Sequence, residues 1–467
     1  MRVSVVGIGY VGLVVSGCLA AWGHRVTGIE ADGDRLAALR SGELPFHEPG
    51  LDELVRAGSH EGRLDFGADP RLLSASDVVF VTVGTHDASG GWQTDTLTRA
   101  LERIVPLVRD DATLAIRSTI PPALVREIDA LISRIRAGAG LPGISVVLNP
   151  EFTREGSAVG DFFRPDRVVI GVVRDPGEHG VATLRALYQA VDAPIVVTSA
   201  VDAAMIKLAS NLFLATKISF VNELAGWCEA LGASIDEVVA GMAFDPRIGG
   251  SFMRPGVGFG GSCLPHQVRM AVRDAAAVDV AMPQLAATDE TNRRQRHRFV
   301  TLLASHLGDL AGQRIGLLGL AFKPGTDDLR EAPALSIAEL LLDEGAIVVA
   351  YDPMERARRT AQALVPRLRV RGRIDEVFDN ADAIGLVTEW PEFSAIDWSV
   401  LGERMRGALV VDGRNALNPD EIADAGLTYV GFGRPVRSVE HSADLVELRG
   451  HDGAPVTRAE REIAAVG

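Results

Sequence analysis

Arg2-Val3-Ser4-Val5-Val6-Gly7-Ile8-Gly9-Tyr10-Val11-Gly12 decides the fold of the first half of this chain. Four strand-forming residues run into a glycine triplet. An apolar helix then reaches about Trp22, and His24-Arg25-Val26-Thr27-Gly28-Ile29 reads as a second strand closed by Glu30. In this strand–turn–helix–strand order, Gly7 makes the tight turn, Gly9 lets a pyrophosphate approach the helix N-terminus, and Gly12 lets helix pack on strand. Gly7, Gly9, Tyr10, Val11 and Gly12 are therefore candidate cofactor contacts. A carboxylate at Glu30 binds ribose hydroxyls and repels a 2′-phosphate, which selects NAD over NADP, although Arg35 nearby could instead accept a phosphate.

The same logic extends the sheet. Asp77–Thr85 and Ala112–Thr119 read as buried parallel strands, so Thr82, Gly84, Thr85, Ser118 and Thr119 fall at the ligand edge, where hydroxyls can bind a ligand or cap the next helix. Ser145–Leu148 runs into Asn149-Pro150-Glu151-Phe152-Thr153-Arg154-Glu155-Gly156, another strand end with acidic residues. Strands near 166–171 and 194–198 complete the unit. Arg314–Leu320, a long loop carrying Lys323 and Arg330, a helix from Pro333 to about Glu344, and Ala346–Asp352 repeat the pattern without the glycine triplet. Strands at 383–388 and 408–412 continue that second sheet, and the latter ends in Asp412-Gly413-Arg414. The expected fold class is α/β: two Rossmann-like doubly wound domains joined by a long central helix. Expected boundaries are residues 1–200, a central helical domain over 201–310, a second Rossmann-like domain over 311–436, and a tail from 437 to 467.

Between the sheets, residues 201–231 are helical and apolar nearly all round, the mark of a helix buried between domains or subunits. Lys207 and Asn211 lie on one face of it, four residues apart. Of 47 basic residues only Lys207, Lys217 and Lys323 are lysines, so a retained lysine points to a need for an ammonium. Four glycines in six residues (Gly256, Gly258, Gly260, Gly261) then lead into Ser262-Cys263-Leu264-Pro265. Such a run predicts a flexible, backbone-lined cradle presenting a thiol at a loop-to-helix junction, where a cysteine can act as nucleophile.

Composition sets limits. A length of 467 residues implies two or three domains. The net charge of −15 argues against a nucleic-acid or anionic-membrane partner. Residues 3–22 read as strand, turn and helix and not as an export signal. No uninterrupted apolar run is long enough to span a bilayer. Cys18, Cys228 and Cys263 are an odd, sparse set that fits a reducing, cytoplasmic compartment, with no spacing for zinc.

Taken in order, these motifs resemble the UDP-glucose/GDP-mannose 6-dehydrogenase family, over about residues 1–435. The resemblance rests on the Gly7–Gly12 turn, Glu48–Leu54, Val83-Gly84-Thr85, Ser118-Thr119, Asn149–Phe152 with Glu155-Gly156, Lys207 with Asn211, Gly258–Cys263, Ala321-Phe322-Lys323 with Asp328 and Arg330, and Asp412–Arg414. It implies a homodimer built through the central helix. It also implies NAD-dependent, four-electron oxidation of a nucleotide-sugar C6 alcohol, with Cys263 trapping the aldehyde. Lys207 and Asn211 would then stabilise the oxyanion, while Glu151 and Thr119 order water. By the same carry-over, Phe152, Thr153, Arg154, Glu155, Arg247, Phe252, Gly256, Gly258, Gly260, Phe322, Lys323 and Arg414 hold the nucleotide sugar. Glu155 and Arg330 also border the cofactor. Members of the family usually continue the cysteine motif as Pro-Lys-Asp. This chain has Pro265-His266-Gln267, which predicts slow thioester hydrolysis, because Gln267 cannot take a proton from water. The strand-end lysine is likewise replaced by Arg117, and Gly-Thr-Pro by Gly84-Thr85-His86. UDP-glucose is the leading substrate, with TDP-glucose or GDP-mannose as alternatives. A one-step hydroxyacid dehydrogenase and a catalytically impaired nucleotide-sugar binder are the other readings.

Overall fold

The computed structural model describes residues 1–87 and 91–438, so the expected tail from 439 onward lies outside the described residues. The chain divides into two compact units, one ending at Asn211 and the other beginning at Leu212.

The first unit is an eight-stranded sheet in the order β3-β2-β1-β4-β5-β6-β7-β8. Its strands are β1 (Arg2–Val6), β2 (Arg25–Ile29), β3 (Leu64–Gly67), β4 (Val78–Val81), β5 (Thr113–Ile116), β6 (Ser145–Leu148), β7 (Val168–Arg174) and β8 (Ile195–Ser199). Every pairing is parallel except β6 with β7. The central strands β4, β5 and β6 are buried end to end because both faces are covered there, whereas β1, β2 and β3 carry Ser4, Thr27 and Asp65. Alternation divides them: Val3, Val5, Val78 and Phe80 pack on one face, and Val79, Val81, Leu114 and Ile116 on the other. β1 and β4 end side by side, so the turn after β1 and the loop after β4 share one edge.

The second unit holds a six-stranded, all-parallel sheet ordered β11-β10-β9-β12-β13-β14. It comprises β9 (Arg314–Leu318), β10 (Ile347–Tyr351), β11 (Arg369–Val370), β12 (Ala383–Leu386), β13 (Leu409–Asp412) and β14 (Thr428–Gly431). The helices Ile235–Ala243, Leu264–Ala276 and Pro283–Leu307 belong to the same unit. Phe299 of the last of these is fully buried in the core of the sheet.

One helix, Ala200–Leu231, runs through the division at Asn211. Its Ala200, Ala203 and Ala204 join the first core; its Val221, Ala225 and Cys228 join the second. The expectation of an all-round buried helix holds on one side only, since Phe213, Phe220 and Trp227 are 66%, 46% and 65% exposed in the single chain. This helix is long and apolar enough to cross a bilayer by length and composition only, while Lys207 and Lys217 interrupt its apolar run, as expected, and part of it packs in the two cores.

Candidate active site

The glycine triplet divides its labour as the sequence predicts. Gly7 has φ +91°, which favours a residue without Cβ. A Cβ at Gly12 would meet Thr82 Oγ1 at 2.7 Å, so only glycine lets the helix close on the turn. A Cβ at Gly9 would meet nothing within 4 Å. That open space lies at the N-terminus of helix Tyr10–Ala21, whose first-turn N–H groups lack intrahelical partners and suit a pyrophosphate. Glu30 follows β2. Its Oε2 accepts from Ile8 N and its Oε1 from Asp32 N, both at 2.9 Å, and Arg35 Nη1 stands 3.3 Å from Oε2. Arg35 is thus paired to the carboxylate that excludes a 2′-phosphate, and the residues present fit NAD.

The strand-end hydroxyls neither cap helices nor stand idle. Thr82 Oγ1 donates to Gly7 O at 2.7 Å, Thr85 Oγ1 to Thr119 O at 2.6 Å, and Ser118 Oγ to Val83 O at 2.6 Å. The helices Asp95–Ile104 and Leu124–Gly138 that follow have no side-chain cap. The capping reading is therefore corrected: these hydroxyls lock neighbouring loops together through carbonyls that the ladder leaves free. Gly84 is exposed between them.

Beyond β6, Glu151 meets the long helix. Lys207 Nζ is 2.9 Å from Glu151 Oε1, and both side chains are buried. Thr153 N and Oγ1 each donate to Glu151 Oε2 at 2.7 Å. Burial alone would push the Glu151 carboxyl up. Lys207, the Thr153 hydroxyl and the Arg117 charge outweigh it and hold the group below the usual glutamate range. Glu151 is thus an ionised acceptor facing an ammonium, and Asn211 lies one turn further along the Lys207 face. The Phe152 ring stacks under Arg167, 3.9 Å away, and lies 5.5 Å from Lys207 Nζ. Arg154 pairs with Asp161 at 2.7 Å. Arg117 donates to Asn149 Oδ1 at 2.7 Å and to Tyr188 Oη at 3.1 Å inside the domain.

In the second unit the glycine run is not the flexible cradle predicted. Residues 256–261 are buried, and what approaches them is the protein's own chain. A Cβ on Gly256 would come within 2.5 Å of Gly413 O, and one on Gly261 within 2.8 Å of the Phe322 ring. Gly256 N donates to Asn222 Oδ1 and Phe259 N to Asn292 Oδ1, each at 2.7 Å, and Gly261 N to Arg330 O at 2.9 Å. Arg414 adds bonds to Gly258 O at 3.0 Å and Phe322 O at 3.2 Å. Its guanidinium therefore stitches the loop to the ends of β9 and β13 in its own chain. Out of this packed segment the exposed Cys263 emerges as N-cap of helix Leu264–Ala276, with Pro265 in the first turn. The loop-to-helix junction is as expected; the burial of the glycines leading to it is new.

His266, one turn on, lies 3.2 Å from Glu331 Oε1, and Arg269 lies 2.7 Å from the same oxygen. The His266 hydrogen bond first, against burial, and then Arg269 bring the Glu331 carboxyl down to about 2. Lys323 Nζ lies 5.4 Å from the Phe322 ring centroid, and Arg330 chelates Asp328 at 2.7–3.0 Å. Phe252 has φ +62°. Arg247 stands in solvent, 88% exposed, paired to Asp245. Lys217 is half-buried and donates to Ile248 O at 3.2 Å. The sequence reading missed the loop pins Asn222 and Asn292, which sit mid-helix with no local signal. It also missed Glu48, quoted in a motif but given no task.

Residues 1–192 match the UDP-glucose/GDP-mannose dehydrogenase family's NAD binding domain, residues 201–294 its central domain, and residues 316–419 its UDP binding domain. A UDP-glucose 6-dehydrogenase of Rhizobium meliloti is 39% identical, covering 93% of this chain and 100% of its own length. One from Pseudomonas aeruginosa is also 39% identical, covering 93% and 98%. A solved UDP-glucose dehydrogenase from Pyrobaculum islandicum is 35% identical with a TM-score of 0.83, over 93% of this chain and 98% of that one. This chain is an NAD-dependent nucleotide-sugar dehydrogenase and belongs to the UDP-glucose/GDP-mannose dehydrogenase family.

Proposed function

We propose that the protein oxidises the C6 alcohol of UDP-glucose to the carboxylate of UDP-glucuronate, with two NAD and one water consumed per sugar. NAD, when bound at the Gly7–Gly12 turn, supplies the hydride acceptor for each oxidation. The rest falls to side chains. The Cys263 sulfur adds to the C6 aldehyde, giving a thiohemiacetal whose oxidation leaves a thioester, and water cleaves the C–S bond to release acid and thiol. Lys207 and Asn211 donate to the oxygen that gathers charge at each tetrahedral stage. Glu151, ionised beside Lys207, accepts from water and orients it, with Thr119.

The observation that carries this reading is the setting of Cys263: an exposed thiol projecting from a loop whose glycines are buried, at a helix N-terminus that favours a thiolate. The relatives named UDP-glucose 6-dehydrogenase direct the choice of sugar. A reactive thiol also suits the reducing cytoplasm. Incubating the enzyme with UDP-glucose, TDP-glucose and GDP-mannose tests the reading. Two NADH per UDP-glucose, at the highest kcat/KM of the three, is the expected result. One NADH per sugar would mean a one-step alcohol dehydrogenase, and tight binding without NADH an impaired binder.

The chain acts as a homodimer in this reading. Phe213, Phe220 and Trp227 repeat every seven residues on the long helix and expose 66%, 46% and 65% of their surface. A seven-residue apolar repeat marks a helix face that packs against another helix. Phe220→Asp is expected to shift the protein from dimer to monomer in sedimentation velocity. A Phe220→Asp protein that stays dimeric would remove the long helix from the interface.

A further inference from the structure

Glu48 lies between β2 and β3, outside every segment given a task above. It is 3% exposed. Its two carboxylate oxygens gather donors from distant parts of the first unit. Oε1 accepts from Ala158 N at 2.7 Å, and Oε2 accepts from Gly156 N at 2.7 Å and from the Tyr10 hydroxyl. Tyr10 is the first residue of the helix that receives the cofactor, and its ring leans on Phe46 with centroids 4.7 Å apart. Gly156 (φ +82°) closes the segment that begins at Glu151. That segment is thus held at its head by the Lys207–Glu151 pair and at its tail by Glu48.

We propose that Glu48 is a positioning residue that fixes the residue 151–156 segment to the start of the cofactor helix, so that cofactor and nucleotide sugar meet in register. The proposal rests on the assignment of Phe152–Glu155 to the nucleotide sugar. Three donors on one carboxylate form a junction with no redundant member. A buried carboxylate is retained only where each oxygen is matched. Burial, then Glu48, pushes the Tyr10 phenol up, so the phenol stays a proton donor at all working pH values. A glutamine here turns one acceptor oxygen into an NH2 facing an N–H or O–H donor, and at least one of the three bonds is lost.

The full-length enzyme carrying Glu48→Gln, Tyr10→Phe or both is assayed for the KM of NAD, the KM of UDP-glucose, kcat and melting temperature. Glu48→Gln is expected to raise both KM values by about tenfold. Tyr10→Phe is expected to raise both by a smaller factor, although its own hydroxyl sits on the cofactor side. The double variant should fall short of the product of the two single effects, because both substitutions weaken the same carboxylate junction. A folded Glu48→Gln protein with either KM unchanged overturns the proposal, as do strictly additive effects. If Glu48→Gln does not fold, Tyr10→Phe decides alone, and wild-type values for either KM overturn the proposal. Phe152→Ala separates the underlying assignment. An unchanged KM for UDP-glucose there sinks the substrate role of the segment, independently of Glu48.

Discussion

Cys263→Ser is expected to lower steady-state NADH formation from UDP-glucose by about 10³-fold or more, while nucleotide-sugar binding stays near wild type. An alcohol is a far weaker nucleophile than a thiolate, so the variant can at most form the aldehyde and stop. A single-turnover experiment should then show no more than one NADH per site, against two for the wild type. The reason to expect binding to survive is structural. The loop is held by bonds from the backbone N–H groups of Gly256, Phe259 and Gly261 and from the Arg414 guanidinium, which the change from sulfur to oxygen leaves in place. In the wild type, rapid quench and intact-mass measurement should reveal an acyl adduct on Cys263, because Gln267 cannot deprotonate the hydrolytic water. A Cys263→Ser enzyme that still yields two NADH per sugar would end the thioester mechanism for this chain.

Most of the sheet architecture could be read from residues 2–30 and 314–352, because a parallel strand buried on both faces is apolar without a break and the turns that follow have fixed chemistry. Leu64–Gly67, Arg369–Val370 and Thr428–Gly431 escaped notice. Each is an edge strand of two to four residues, too short for periodicity to register. The glycine run shows a different limit. Sequence correctly demanded close approach at Gly256 and Gly261 but could not name what approaches. The answer, Gly413 O and Phe322, lies far away in the chain. Glu48 was invisible as a junction because its partners stand 38, 108 and 110 residues away. Lys207 was found by its rarity, yet its pairing with Glu151, 56 residues distant, was not foreseen: resemblance gave Glu151 a water to order and Lys207 an oxyanion to hold.

That pair sets the second large effect. Lys207→Ala removes one member of a buried ion pair and leaves Glu151 charged, with Thr153 and the more distant Arg117 as its remaining support. Such a loss costs about 3–5 kcal/mol, enough to lower the first unit's melting temperature by about 10 °C. The pH dependence should change sign as well. In the wild type the folded Glu151 carboxyl lies below its unfolded value, so its stabilisation is present above about pH 4.3 and is lost as acid protonates the folded form. In Lys207→Ala burial dominates and the folded carboxyl moves above the unfolded value, so the folded state binds the extra proton and stability rises as pH falls from 7 towards 5. Calorimetric melts of both proteins from pH 7 down to about pH 3 test the reversal: Glu151 adds no slope to the wild type above about pH 4.3, whereas Lys207→Ala gains stability between pH 7 and 5, and parallel profiles would mean that Lys207 does not hold Glu151 ionised. Lys207→Met with Glu151→Met should recover most of the melting temperature, since two matched apolar side chains replace a buried pair at little cost, while NADH formation stays about 10³-fold down. Stability regained without activity would assign the ammonium and the carboxylate to the chemistry and not merely to the fold.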